Sequence, residues 1–252
     1  MVDRSKMGGF PPLRQGWSFM RRMRIPEWMD DPDLDPAEHR RALRGLVRVN
    51  AVSFTGQQTW KAMKRVAGDL APGKSLSVCE LASGGGEILH YWTKRAQREG
   101  IVPRFCATDY NPRTVEGLRH SLTLKGHSVD ALVLDVLGET PYPECDVSVC
   151  TLFLHHLDPE DVIKVLSRMA NSARKGIVVS DLRRSWSGWA LAWGVGRILS
   201  RSRVVHHDGP VSVQAAYTCE EIVDLGREAG LSGLRVCRSW PQRWLLEWRR
   251  NS

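Results

Sequence analysis

The sequence predicts an α/β fold built on a doubly wound, mostly parallel sheet, and three observations carry that prediction. From Leu76 onward, short apolar runs rich in Val, Leu and Cys alternate with segments of helical period. Such runs suit strands that helices bury on both faces. The first run, within SLSVCELASGGGEIL (Ser75 to Leu89), turns through three glycines into a helix-like segment, so that backbone N–H groups point outward toward a polar ligand. Acidic residues stand at or near the ends of three successive strands, Glu80, Asp109 and Asp135, and face the crevice where sheets of this kind bind ligands.

Taken in order, residues 1 to about 36 are irregular, because Pro11-Pro12, Pro26, Pro32 and Pro36 interrupt any long helix. Trp17, Phe19, Met20, Met23 and Trp28 are too apolar for a solvated tail, so this segment is expected to dock on the body as a lid. Asp35-Pro36 supplies an N-cap and a proline at the first helical position, and Leu43, Leu46, Val47 and Asn50 fall on one face of that helix. A second helix runs from about Thr55 to Leu70 and ends before Pro72-Gly73. Strands follow at 76–82, 103–108, 129–134, 145–151 and 175–181, with helices at 86–99, 112–125, 158–173 and 218–229. Asp158-Pro159 repeats the N-cap signal, and Thr218 with Glu221 makes a capping box. Leu234 to Trp240 and Trp244 to Trp248, joined at Pro241-Gln242, read as an antiparallel hairpin. Trp244, Leu246 and Trp248 alternate onto one face of it, as a half-buried strand requires. The stretch 184–216 breaks the rhythm. Trp186, Trp189 and Trp193, with Val195, Ile198 and Leu199 beyond, make a strongly apolar helix, and insertions of this kind are often functional. The expected domains are an N-terminal helical cap, 1–72, and a ligand-binding domain, 73–252, carrying the 184–216 insertion.

The chain's 252 residues suffice for such a domain and cap. The net charge of +8 comes mostly from arginines in 14–48, 183–203 and 235–250. That surplus suits RNA, an anionic membrane surface or an acidic substrate, and arises equally from arginine-rich codon usage with no polyanionic partner. Six cysteines form no CxxC pair and no Cys/His cluster at zinc spacing, so no metal is expected and a reducing, cytoplasmic setting fits. MVDRSKMGGFPP has no apolar core of signal-peptide length, and no run approaches the roughly 18 apolar residues that span a bilayer. Weak, peripheral contact with a membrane is a variant, using the apolar helix and nearby arginines.

The glycine turn lacks the Gly-Lys-Ser/Thr ending of a phosphate-binding loop, so it offers phosphates no lysine and magnesium no hydroxyl. FCATD places Asp109 to accept hydrogen bonds from ribose hydroxyls, and LVLDV places Asp135 to bond an adenine amino group. ELASGGG (80–86), ATDYNP (107–112), LVLDV (132–136) and CDVSVCTLFLHHLDPED (145–161) together resemble the class I S-adenosylmethionine-dependent methyltransferases, over about Ser75 to Trp248. Glu80, Gly84 and Gly86 match that family's acid-x-Gly-x-Gly-x-Gly pattern, with Ala82 in place of the first glycine. Alanine permits the turn there if its φ is negative. The resemblance implies a Rossmann-like, seven-stranded sheet whose last strand is inserted antiparallel, in line with the C-terminal hairpin. It implies that Glu80, Ala82, Ser83, Gly84 and Gly86 hold the methionine end of S-adenosylmethionine and the neighbouring backbone, with S-adenosylhomocysteine as product. Asp109 would hold the ribose, Tyr110 pack near the adenine, Asp135 and Val136 read the adenine edge, and Thr151 and Leu152 lie beside the sulfonium. A dinucleotide oxidoreductase fits less well, since Asp135 has no role there and the glycine turn follows a long N-terminal cap.

Methyl transfer from a sulfonium is an in-line displacement that needs alignment and exclusion of water. A phenolic or carbon-acid acceptor also needs a base, and histidine suits that near neutral pH. His207, oriented by Asp208, is the first expected base and His156 the second. His155, Arg183, Trp186, Trp189, Trp193 and His206 are the expected acceptor-site residues, around an apolar cavity capped by the insertion and the aromatic N-terminus. Structural roles compete for each: a histidine after a strand packs or bonds backbone, and tryptophans bury an insertion against a sheet. The insertion resembles that of the family's small-molecule branch, which methylates quinone precursors and polyketide-derived phenols. The implied function is O- or C-methylation of a lipophilic, phenolic metabolite. The rivals are a nucleic-acid methyltransferase, disfavoured because CTLFLHH lacks an Asp/Asn/Ser-Pro-Pro-aromatic pattern, and a non-catalytic scaffold, disfavoured by the intact Glu80, Asp109 and Asp135.

Overall fold

The computed structural model describes residues 20–31, 33–51, 53–68, 70–124 and 129–251. Among these residues seven strands form one sheet: β1 Ser75–Leu81, β2 Val102–Asp109, β3 Val129–Val133, β4 Cys145–Thr151, β5 Ala173–Leu182, β6 Arg235–Ser239 and β7 Arg243–Arg249. Their order is β3-β2-β1-β4-β5-β7-β6. β1 to β5 run parallel, and β7 is antiparallel to both β5 and β6. Parallel neighbours need crossovers, supplied by α3 Glu87–Arg98, α4 Pro112–Leu124 and α5 Pro159–Ser172. The chain leaves β1 toward β2 and β3, then returns to β4 on the other side, which opens a crevice over the C-terminal ends of β1 and β4. Register brings Glu80 level with Ala107 on β2 and Val149 on β4.

The strand period of two divides the core between the two faces of the sheet. Val78, Val149, Val178 and Leu245 pack with Trp60 and Met63 of α2 (Thr55–Ala67) and Trp92 of α3. Leu81, Cys150, Val179, Trp244 and Leu246 pack on the other face with Leu166 and Met169 of α5 and Ile222 of α8 (Cys219–Glu228). The half-buried strand expected from Trp244, Leu246 and Trp248 is corrected by this arrangement. β7 lies between β5 and β6, so Leu245 on its opposite face is 4% exposed and packs toward α2. The capping box at Thr218 and Glu221 forms as expected.

The 184–216 insertion holds two helices, α6 Trp186–Leu199 and α7 Arg203–Ala215. His206, His207 and Asp208 lie on α7, and Pro210 sits inside that helix. α6 presses on α7 through small residues: Gly188 and Gly196 are its buried positions, and a Cβ on Gly196 stands 3.5 Å from the Val205 carbonyl. Trp186 and Trp193 consequently face outward.

Residues 20–27 have no regular structure and lead to a 3-10 turn at Trp28–Asp30, ahead of α1 Pro36–Ala51. They lie against the insertion and the end of β4. Met23 N donates to Gln214 O at 3.1 Å. Arg22 donates from Nε to Ala215 O (2.7 Å) and from Nη2 to Leu157 O (2.7 Å) and His155 O (3.2 Å), and lies over the Tyr217 ring. The expectations placed on Trp17 and Phe19 fall outside the described residues, as do the side chains of Leu43, Leu46, Val47 and Asn50. A charged donor bonded to several partly buried carbonyls is a strong tether. Arg22→Ala is therefore expected to cost about 2–4 kcal/mol and to speed hydrogen exchange in residues 20–30 and 203–215 before the sheet is affected, as read by mass spectrometry.

Candidate active site at the switch point of the sheet

Where β1 ends, the chain turns sharply. Ala82, Gly84 and Gly86 all take positive φ, at 52°, 52° and 72°. The negative φ under which Ala82 was expected to serve is thus corrected: alanine occupies the left-handed region that glycine favours, a strain of about 1–2 kcal/mol. Ser83 locks the turn to β2, its N–H donating to Thr108 O and its hydroxyl to Glu80 O. A Cβ on Gly86 would meet Leu118 Cδ1 at 2.2 Å, whereas a Cβ on Gly84 would meet nothing within 4 Å. The first glycine serves packing against α4; the second leaves open backbone for a ligand.

Glu80 is 1% exposed. Its Oε1 accepts from Thr151 Oγ1 at 3.1 Å, while Oε2 is buried without a protein partner. Burial pushes its pKa up to about 8, against the weaker opposing effect of the Thr151 hydrogen bond. Asp109 holds the turn from β2, accepting from Gly84 N (3.2 Å) and Asn111 N (3.0 Å). Leu134 N donates to Asp109 O, which sets the end of β3 beside that of β2. Asp135 follows there, exposed and accepting from Leu137 N, while Val136 is 6% exposed and Tyr110 73%. Thr151 ends β4, and Leu152 follows at φ 53° with its N–H on Ser180 O. The structure thus brings Glu80, Ser83, Gly84, Asp109 and Thr151 into one bonded set, with Asp135 on the adjacent strand end.

A second set lies beside it, at the ends of β4 and β5. His155 Nδ1 is 2.7 Å from Asp181 Oδ1, and His155 N donates to Asp181 Oδ2 at 3.0 Å. The outer nitrogen, Nε2, is 3.8 Å from Glu27 Oε1, which also accepts from Ser212 Oγ. Burial pushes the Asp181 carboxyl up, but the charge and hydrogen bond of His155, with two backbone N–H donors, bring it below the usual carboxylate range. His156 differs: burial, reinforced by the neighbouring His155, lowers its pKa to about 3, so it is neutral at physiological pH. Donor atoms of Glu27, His155 and His156 lie within 4.8 Å of one another, a grouping of metal-ligand type that spacing along the chain does not reveal. The sequence reading missed Asp181, although it ends β5 as Glu80 and Asp109 end β1 and β2. Glu27 gave no signal.

The remaining expected residues hold structure together. His207 Nδ1 is 2.8 Å from Asp208 Oδ1, and its ring stacks on Trp28 at 4.1 Å and 7°. The same Asp208 carboxylate accepts from Trp28 N and Met29 N, so this pair fastens the N-terminal segment to α7. His206 Nε2 contacts Ser200 O at 2.7 Å. Arg183 bonds Gln242, and its neighbour Arg184 is buried on Glu221, Met20 O and Ala216 O. Trp186 and Trp193, expected in an acceptor cavity, are 55% and 45% exposed on the outer face of α6, with Trp189 half-buried.

Residues 78–176 match the family model described as a methyltransferase domain. No curated protein sequence matches the chain. Among solved structures, human N-acetylserotonin methyltransferase in complex with S-adenosylmethionine aligns with a TM-score of 0.59 and 15% identity, over 85% of this chain and 57% of that one. The plantazolicin methyltransferase BpumL in complex with S-adenosylhomocysteine gives 0.61 and 13%, over 88% and 93%. A methyltransferase from Aquifex aeolicus gives 0.57 and 17%, over 86% and 99%. The chain thus spans little more than half the length of the human enzyme and nearly all of the other two.

Two expectations follow from the glycine turn. Ala82→Gly relieves a left-handed alanine and is expected to raise stability by up to ~1 kcal/mol, after the entropy that glycine adds to the unfolded chain; thermal unfolding reads it. For Glu80, the folded state keeps its proton up to about pH 8 while the unfolded chain releases it near pH 4.5. Stability of the ligand-free protein should therefore fall as pH rises through that window, by a component on the order of a few kcal/mol. Glu80→Gln should abolish that component.

Proposed function

From a methyltransferase domain on a class I fold, we propose that the chain moves a methyl group from S-adenosylmethionine to an oxygen or carbon nucleophile of a lipophilic, phenolic small molecule. The observation that carries the reading is Glu80: a buried carboxyl oxygen lacks a partner beneath a glycine turn that leaves backbone open at Gly84. Buried polar atoms are normally bonded, so this one fits a ligand that brings a donor or a positive charge. Glu80, Ser83 and Gly84 would hold the methionine end of the cofactor. Asp109 and Asp135 would hold its ribose and adenine, beside Tyr110 and Val136, with Thr151 and Leu152 at the sulfonium. When bound, S-adenosylmethionine supplies an electrophilic methyl group. Two similar structures carry names that specify N-acetylserotonin and plantazolicin methylation, which supports a small-molecule acceptor.

His155 is proposed as the base in place of His207 and His156. His207 is stacked on Trp28 and bonded to Asp208, and His156 binds a proton too weakly to serve near neutral pH. His155 has the orienting partner a base requires: Asp181 fixes its Nδ1 as the protonated nitrogen and would stabilise the imidazolium, and Nε2, which faces Glu27 Oε1 at 3.8 Å, would take the acceptor's proton once the N-terminal segment lifts. Residues 20–28 lie across His155 through Arg22 and Glu27, so they act as a lid that admits the acceptor and then excludes water. His155→Ala should lower kcat by about 10²–10⁴ with the Kd of S-adenosylmethionine unchanged by calorimetry, while His207→Ala loses stability but keeps turnover. A second reading is a divalent ion held by Glu27, His155 and His156. Loss of turnover on dialysis against a chelator, restored by zinc or manganese, would assign these residues to a metal; unchanged turnover supports the base.

A further inference from the structure

The insertion presents a surface that the reaction does not use. From Leu182 to His207 the sequence has five arginines and no acid. On α6, Trp186, Ala190, Trp193 and Arg197 recur at i, i+4, i+7 and i+11 and are all exposed, a stripe along one side of the helix. Arg197 lies over the Trp193 ring at 4.1 Å and bonds Trp193 O, while Ile198, about 100° further round the helix on the side of the arginine cleft, is 81% exposed. At the C-terminal end of α6 a cleft of about 470 Å³ is lined by Arg41, Arg44 and Arg48 of α1, by Arg201, and by Ile198 and Leu199. The three α1 arginines follow one helical face. Among the described residues no acid lines the cleft, although Glu38 stands 3.7 Å from Arg41 at its edge.

We propose that this face docks on an anionic lipid bilayer, with Trp186, Trp193 and Ile198 entering the headgroup–acyl boundary and the arginine cleft taking lipid phosphates. The 14 residues of α6 make ~21 Å of helix, short of the ~30 Å hydrocarbon core, and no helix among the described residues is long and apolar enough to cross a membrane. The helix therefore lies in the interface, where tryptophans settle and arginines reach phosphate along their aliphatic stems. Each basic residue near an anionic leaflet contributes about 1 kcal/mol, so the cleft and Arg197 give the attraction and the apolar stripe gives depth. A second copy of this chain is disfavoured, because a two-fold contact centred here sets the same arginines against each other. A nucleic acid would use the arginines and stack bases on the exposed tryptophans, so single-stranded RNA is the competing ligand in the test.

The test is co-sedimentation of the full chain with phosphatidylcholine vesicles containing or lacking one third phosphatidylserine. Binding is expected to the mixed vesicles, to be ~10-fold weaker without phosphatidylserine, to weaken between about 0.1 and 0.5 M salt, and to shift tryptophan emission to the blue. Ile198→Glu and the double variant Arg44→Glu/Arg48→Glu should each lose ~10-fold or more, with S-adenosylmethionine affinity retained as the check on folding. The proposal is overturned if vesicles of both kinds fail to bind, if Ile198→Glu binds as well as the parent, or if single-stranded RNA of equal charge binds in a way that Arg44→Glu/Arg48→Glu abolishes and anionic vesicles do not displace. Dimerisation abolished by Ile198→Glu would overturn it as well. The assay uses no turnover, so its failure leaves the proposed methyl transfer untouched.

Discussion

Glu80 lies on β1 between two parallel partners, its carboxyl group cut off from water and bonded on one side, to Thr151 on β4. A carboxylate in that position is costly, and the protein meets the cost by holding the proton to about pH 8. The surrounding geometry depends on this group staying where it is. Its backbone carbonyl accepts from the hydroxyls of Ser83 and Thr108, which fasten the glycine turn to β2. Asp109 on that same strand then accepts from Gly84. The Glu80 side chain thus ties β1 to β4, while its backbone carbonyl and the Asp109 carboxylate fix the glycine turn to β2.

A second layer of order comes from arginine used as an internal tether. Arg22 and Arg184 end on the neighbouring backbone carbonyls of Ala215 and Ala216. Arg184 also reaches back to Met20 O, so the N-terminal segment, the end of β5 and the start of α8 share one network. With His207 and Asp208 holding Trp28 and Met29, this network lays Glu27 beside His155. The segment that covers the second polar set is therefore held by hydrogen bonds, ion pairs of Arg22 and Arg24 with Asp158, the Arg22–Tyr217 contact and one stacked ring, with little apolar burial; Met23 and Trp28 are each about half exposed. Elements held in this way open at lower free energy than the core, as a lid requires.

The insertion shows how composition and placement part company. α6 is apolar almost all round, which ordinarily marks a buried helix. Here glycines 188 and 196 make the contact with α7, and close approach through small residues leaves the bulky side chains pointing away. Its exposed tryptophans belong to the outer surface with the arginines of α1, and the polar clusters at the strand ends are built without them.

Much of the fold was legible in the sequence, because period-two apolar runs, glycine turns and N-caps are local signals. The five parallel strands, the C-terminal hairpin, the capping box at Thr218 and the acids at Glu80, Asp109 and Asp135 all follow from residues within a few positions of one another. The φ of Ala82 was not legible, since the turn's bonds to Thr108 and Asp109 come from another strand. Nor was the burial of Leu245, which depends on β7 being inserted between β5 and β6. The helical state of His206 to Asp208 overrode a Gly-Pro pair through packing against α6 and the N-terminal segment. The polar set of Glu27, His155 and Asp181 was decided by tertiary structure alone: its members lie 128 and 26 positions apart along the chain, and only the sheet register and the folded-back N-terminus set them side by side.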